Sequence, residues 1–251
     1  RSFEFRGHVF LVFEKLSMNL REAAKKFGRD VGISISAVRV YARQLFVALM
    51  HLQKCGIVHA DIKPDNVLVN DQLNILKLCD FGFARCLSGS DQERYTDYVS
   101  TRWYRAPELL VGDTNYGRGV DIWAIGCMFA EITNGLPLFP GESDIDQLFH
   151  IIRCFGQLTG QQMDFFRKNP LFVGVKIPEV ENAELETLEK RFPGVSKSQL
   201  EAMSLCLDYD PDRRATCTEL MRCEHFETFA DEKLKYNTMI NNQFRDRVRG
   251  K

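Results

Sequence analysis

Apolar residues alternate with polar ones at the front of the chain, and the period then changes. Phe3 to Phe5, the Arg6-Gly7 pair and the run His8-Val9-Phe10-Leu11-Val12-Phe13 predict a strand end, a turn and a buried strand. Beyond Leu16 the pattern becomes helical: Val38, Tyr41, Leu45, Leu49 and Leu52 recur at helical spacing, with serines before them and Gly56 after. Two short strands follow at Val67–Val69 and Ile75–Cys79, joined by the polar Asn70-Asp71-Gln72 region, and Ser88 to Tyr95 is polar. From Val120 to Thr133 apolar residues occupy nearly every face, which predicts a helix at a domain centre. Asp144–Phe155 reads as a one-sided amphipathic helix. Helices are also predicted near Ser198–Leu207 and Thr216–Arg222, the latter opening with the capping box Thr216-x-x-Glu219. Gln157 to Val195, interrupted by Pro170, Pro178 and Pro193, predicts irregular structure. The expected class is α+β, a mainly helical domain with a small β element at its front edge.

Composition narrows the picture without naming an activity. At 251 residues and 45% apolar, the chain can bury a large core without disulfide or metal staples. With 33 basic against 34 acidic residues, it lacks the basic excess of proteins that coat nucleic acid or lie on membranes. The longest apolar run, Ile122 to Ala130, is too short to span a bilayer. Eight cysteines without a C-x-x-C pair argue for reduced intracellular thiols rather than zinc, with cytoplasm and nucleus both open. There is no internal repeat, and the basic stretch from Lys233 to Lys251 reads as a solvated tail. The chain opens Arg1-Ser2-Phe3 without methionine, so an excerpt of a longer protein is expected.

The chemistry concentrates in His59-Ala60-Asp61-Ile62-Lys63-Pro64-Asp65-Asn66, followed by Asp80-Phe81-Gly82. Asn66 precedes one short strand and Asp80 follows the next. If the strands pair as an antiparallel hairpin, an amide oxygen and a carboxylate emerge together at its open end, a donor set suited to Mg²⁺. Asp61 lies one loop upstream as a second carboxylate, with Lys63 placed to neutralise a phosphate. A cation site, a carboxylate base and a lysine suit phosphoryl transfer to a hydroxyl.

The order H-x-D-x-K-P-x-N, D-F-G and Ala106-Pro107-Glu108 resembles the protein-kinase signature. That resemblance implies a protein-kinase-like fold, here a helical C-terminal lobe over 17–229 behind a remnant of the N-terminal β lobe and hinge over 1–16. A group-specific insert near 157–195 and a basic tail over 230–251 complete the expected layout. It also implies ATP and Mg²⁺ as cofactors: Asp61 accepts the substrate proton, Lys63 and Thr101 complete the catalytic set, and Asn66 and Asp80 hold the metal. Phe13-Glu14-Lys15-Leu16 resembles the hinge. Glu14 and Leu16 would meet adenine through their backbones, with Phe13 as gatekeeper, Leu68 and Cys79 as the floor, and Asn19 among the cofactor-binding residues. Glu108 and Arg214 are expected to form a buried ion pair, Asp121 to bond the catalytic-loop backbone, and His59 to pack near Phe81.

Lys63 with Thr101 resembles serine/threonine kinases, so protein Ser/Thr hydroxyls are the implied acceptors. Thr96-Asp97-Tyr98 through Glu108 resembles the CMGC group. Leu138-Phe139-Pro140-Gly141 and Ser143–Leu148 are most similar to cyclin-dependent-kinase-like proteins, while Leu16–Glu22 and His59-Ala60-Asp61 resemble the pre-mRNA-processing kinase. The likeness implies phosphorylation of Thr96 and Tyr98 by an upstream kinase, with Arg102 and Arg105 as charge partners. It also implies acceptors followed by proline, and no direct nucleic-acid or membrane partner. Two departures stand out. Ala60 replaces an arginine common in relatives, so altered control is expected. The Gly-rich loop, the strand lysine and the helix glutamate are absent ahead of Phe3, which leaves a second function open: a weak or inert truncated kinase that binds other proteins.

Overall fold

Helix α4 (Gly119–Asn134) is the axis of the structure, a computed structural model that describes residues 1–27, 32–87, 102–177, 180–181 and 184–227. Every residue from Val120 to Ile132 on it is buried, as its all-round apolar pattern demands. Fully sealed side chains such as Trp123 and Phe129 contribute roughly 2–3 kcal/mol each by the area they remove from water. Gly126 lets the helix Lys197–Cys206 (α8) approach: a Cβ there would stand 2.8 Å from side-chain atoms of Cys206 and Leu207.

Helix α2 (Ile35–Lys54) buries Val38, Tyr41, Leu45, Phe46, Leu49 and Leu52 against α4, and begins where the Ser34 hydroxyl accepts from the Ala37 amide at 3.4 Å. Helices α5 (Asp144–Phe155), α8 (Lys197–Cys206) and α9 (Cys217–Arg222) stand where the periodicity puts them, the last with its capping box formed. Short helices α3 (Pro107–Val111), α7 (Leu188–Arg191) and α10 (Glu224–Glu227) complete the lobe. The stretch Gln157–Val195 is more ordered than its prolines suggest. Helix α6 (Gly160–Lys168) starts on a capping box in which Thr159 Oγ1 accepts from the Gln162 amide at 3.2 Å and Gln162 Oε1 accepts from the Thr159 amide at 3.0 Å.

Among the described residues the strands form three small sheets. β5 (Val67–Val69) and β6 (Leu76–Leu78) pair antiparallel with Val67 opposite Leu78, and β3 (Met18–Asn19) adds to the other edge of β5. β4 (Ile57–Val58) pairs with β7 (Arg85–Cys86). β1 (Ser2–Phe5) and β2 (His8–Leu11) form a ribbon whose two turn residues, Arg6 at φ 50° and Gly7 at φ 77°, both take the left-handed conformation of a type I′ hairpin. The expected buried strand is corrected here: every residue of β1 and β2 is exposed, because no second layer among the described residues covers the ribbon. Helix α1 (Leu20–Phe27), unforeseen in the sequence pattern, is set by the Asn19 side chain, which accepts from the Glu22 amide at 2.8 Å.

Candidate active site

The hairpin brings Asn66 and Asp80 to one end. The Cys79 amide donates to the Asn66 carbonyl at 2.9 Å as the last rung, and Asp80 leaves the ladder at φ 61°. Its Oδ1 accepts from the Gly82 amide at 3.2 Å, and the residue is exposed. Asn66 is buried, and its Nδ2 donates both hydrogens to Asp61, one to the main-chain carbonyl and one to Oδ2, each at 2.8 Å. Lys63 Nζ donates to the same Oδ2 at 2.8 Å. The base candidate is therefore fixed by two donors on one oxygen, at no cost in mobile parts.

The loop carrying Asp61 is held from behind by α4. Asp121, in the first turn of that helix, accepts from the His59 amide at 2.8 Å and the Ala60 amide at 2.9 Å. Ala60 sits at φ 62°, a left-handed conformation that costs an L-residue roughly 1–2 kcal/mol, and the carboxylate clamp maintains it. Burial raises the Asp121 pKa to about 6, although the two amides pull it down. His59 Nδ1 accepts from the Asp61 amide at 3.3 Å, so Nε2 carries the proton it donates to the Cys79 carbonyl at 3.0 Å. Burial lowers the His59 pKa below its ordinary value and keeps the ring neutral. Its ring lies 4.9 Å from that of Phe81.

Glu108 and Arg214 form the expected buried pair, bidentate at 2.6 and 3.0 Å, with Arg214 Nε also donating to the Asp208 carbonyl at 3.0 Å and the guanidinium 5.1 Å over Trp123. Phe13–Leu16 is laid beside the hairpin by an ion pair of Glu14 with Lys77, the residue opposite Leu68 in the ladder. Leu68 and Cys79 are half-buried, and Phe13 is exposed. Asn19 stands opposite Leu68 in the β3–β5 pairing, and its side chain caps α1. Arg102 and Arg105 both pair with Asp144, at 2.8 and 3.4 Å. Thr96, Tyr98 and Thr101 lie outside the described residues.

One group near the site escaped the sequence reading. Arg21, Asp65, Tyr104 and Glu131 meet in a partly buried network. Asp65 and Tyr104 stand 44 and 83 residues from Arg21 along the chain, and Glu131 further still, beyond any local pattern, although Asp65 between Lys63 and Asn66 is a signal.

The donor set fits a hard cation. With Nδ2 committed to Asp61, Asn66 keeps its amide oxygen out of every hydrogen bond among the described residues, and Asp80 adds carboxylate oxygens. No group of three His, Cys, Asp or Glu side chains forms a metal cage among the described residues, and one amide with one carboxylate is the sparse protein donor set usual for Mg²⁺ shared with phosphates.

This helical lobe, with its clamped carboxylate beside a two-oxygen hairpin end, is that of a protein kinase domain. The chain belongs to that family, whose model matches residues 1–226. It is 48% identical over 218 residues to cyclin-dependent kinase-like 2 of Mus musculus, covering 87% of this chain and 38% of that protein. It is also 44% identical over 233 residues to cyclin-dependent kinase-like 4 of Mus musculus (93% and 66%), and 43% identical over 235 residues to cyclin-dependent kinase-like 5 of Mus musculus (93% and 24%). These relatives are kinases of the CMGC group. The chain spans about two fifths of the length of the cyclin-dependent kinase-like 2 proteins it matches. Among the described residues no helix is long and apolar enough to cross a membrane.

Proposed function

We propose that the protein containing this chain transfers the γ-phosphoryl group of ATP to Ser or Thr hydroxyls of other proteins. The observation that carries the reading is the convergence of Lys63 and Asn66 on one oxygen of Asp61, beside the open end of the β5–β6 hairpin. Asp61 orients the acceptor hydroxyl and takes its proton. Lys63 balances charge beside that carboxylate, and Asn66 holds it in place. Mg·ATP, when bound, supplies the phosphoryl group and its counter-charge; Asn66 Oδ1 and the Asp80 carboxylate are the residues that would hold the metal. The backbones of Glu14 and Leu16, beside Phe13, would meet the adenine, with Leu68 and Cys79 under it. Thr101 joins the catalytic set, and phosphorylation of Thr96 and Tyr98 by an upstream kinase regulates the segment. For that, a phosphate must draw Arg102 and Arg105 away from Asp144. Acceptors followed by proline are the preferred class, in the cytoplasm or nucleus.

The test uses the full-length protein and a serine peptide. Asp61→Asn is expected to lower turnover by about 10²–10⁴, the range of a lost general base, while nucleotide binding holds. Asp80→Asn is expected to weaken Mg²⁺-dependent nucleotide binding instead. Normal turnover by both variants would overturn the assignment.

A further inference from the structure

A cleft of about 480 Å³ opens where the last turns of α2, strand β4, the start of α4 and the loop 211–216 meet. Small-molecule sites occupy about 300–1,000 Å³, so the space is of that kind. Its floor is apolar, with Leu49, Ile57, Ile122 and Cys217 lining it. One wall closes in at Gly119, where a Cβ would stand 3.7 Å from the Pro211 carbonyl oxygen.

Three polar side chains line the same cleft and have no task in the fold. The Arg118 guanidinium, the Asp212 carboxylate and the Gln53 amide make no hydrogen bond or ion pair among the described residues. Arg118 and Asp212 are exposed and Gln53 is half-buried, so the two charges stand at the mouth. The other charges of the lining are committed, Asp121 to the His59 and Ala60 amides and Arg214 to Glu108. A cation and an anion that flank one cleft without pairing with each other select a ligand that carries both signs. A ligand of one sign meets one favourable and one unfavourable end.

The cleft also borders the supports of the catalytic loop. Ile57 stands two residues ahead of His59, and Asp121 is the clamp on His59 and Ala60. Leu87, likewise in the lining, follows β7 and donates its amide to the Gly56 carbonyl at 2.8 Å. Opening of the clamp therefore deforms the cleft, and a molecule bound in it resists that opening.

We propose that this cleft binds a small zwitterion with an apolar body, its anionic end at Arg118, its cationic end at Asp212 and its body on Leu49, Ile57 and Ile122. Bound there, the molecule holds the Asp121 clamp shut and so fixes the loop that carries Asp61. The binding does not depend on the kinase reading above.

The test uses the full-length protein and three probes that share one ring system. L-tryptophan carries both charges, tryptamine keeps the cation, and indole-3-propionate keeps the anion. Calorimetric titration is expected to give L-tryptophan an affinity about tenfold above either analogue, the step that one charge-assisted bond supports. Arg118→Gln is expected to bring L-tryptophan down to the level of tryptamine, and Asp212→Asn to that of indole-3-propionate. Both positions are exposed, so folding is expected to hold. At about ten times its dissociation constant, L-tryptophan is expected to slow hydrogen exchange at the His59 and Ala60 amides by about tenfold, because the clamp opens only after the ligand leaves. No saturable binding of any probe, equal affinity for all three, or L-tryptophan binding that either substitution leaves unchanged would overturn the site. Saturable binding with no slowing at His59 and Ala60 would overturn the coupling to the clamp. If a variant fails to fold, as judged by its melting curve, the ranking of the probes on the wild type decides alone.

Discussion

Aromatic side chains crowd two regions of this molecule and meet opposite fates. Around α4, Trp123, Phe129 and Phe139 are sealed, and the charged groups Arg214 and Asp121 among them are matched, the first with Glu108 and the second with two amides, while the Trp123 indole N–H is buried without a hydrogen-bond partner among the described residues. In the β1–β2 ribbon, Phe3 and Phe10 stack at 5.0 Å, yet both they and Phe5 stand exposed. Both regions carry large apolar side chains, so the presence of such residues alone does not decide burial. What differs is the number of layers. α4 is packed by α2 and α8, whereas a two-stranded ribbon is a single layer with two faces to cover. Buried polar groups belong to the first environment alone, because only a closed surround can hold every partner in place.

That contrast can be broken by mutation. Glu108→Ala strands the Arg214 guanidinium in the core and is expected to cost about 3–5 kcal/mol in chemical denaturation. A loss no larger than that of a ribbon variant would erase the distinction.

Titration sharpens it next. Asp121 is held at about 6, above its unfolded value of 3.8, so its contribution to stability is present at low pH and is lost as pH rises through 6. His225, which burial and then Arg39 hold at about 4 against 6.5, contributes above pH 6.5 and loses that as pH falls toward 4. Each amounts to about 3 kcal/mol and the two oppose one another over the same window. His59, also lowered, acts with His225, and Glu131, raised by burial, acts with Asp121. Asp121→Asn is therefore expected to steepen the rise in stability between pH 4 and 6.5, and His225→Phe to reverse its sign. Parallel curves for both variants would contradict the assignment.

Ala60→Gly relieves a left-handed alanine but loosens the unfolded chain, for a net gain of about 0.5 kcal/mol seen as a small rise in Tm. A marked loss would mean that the Asp121 clamp depends on the Ala60 methyl. At the bottom of the scale, Phe3→Ser with Phe10→Ser is expected to change stability by about 0.5 kcal/mol or less, as exposed sites do. A larger loss would show that the ribbon is braced.

Legibility followed the reach of each interaction. α4 could be read from its all-round apolar run and α5 from its one-sided period, both local signals, and so could the pairing of Val67–Val69 with the next strand. The capping box of α6 was equally local, but the nearby prolines masked it. Asp61, Asn66 and Asp80 emerged from strand arithmetic, since a hairpin brings its two ends together. The burial of β2 could not be read, because alternation says which face is apolar and not whether anything covers it. Arg21 had no legible partner, since Tyr104 and Glu131 come from other elements of the fold. Ala60 and Asp80 hide left-handed backbones behind side chains that give no warning of them.

The Asp121 clamp also sets an order of events during synthesis. The loop bearing Asp61 leaves the ribosome 62 residues before the carboxylate that holds it, an interval of about 3–12 s at ordinary elongation rates of about 5–20 residues per second. Glu108, made shortly before Asp121, waits for Arg214, 106 residues later, for about 5–20 s in all. The nascent chain thus exposes the Asp61 carboxylate early and acquires its folded shape late, so a ribosome stalled between these points displays an unassembled loop.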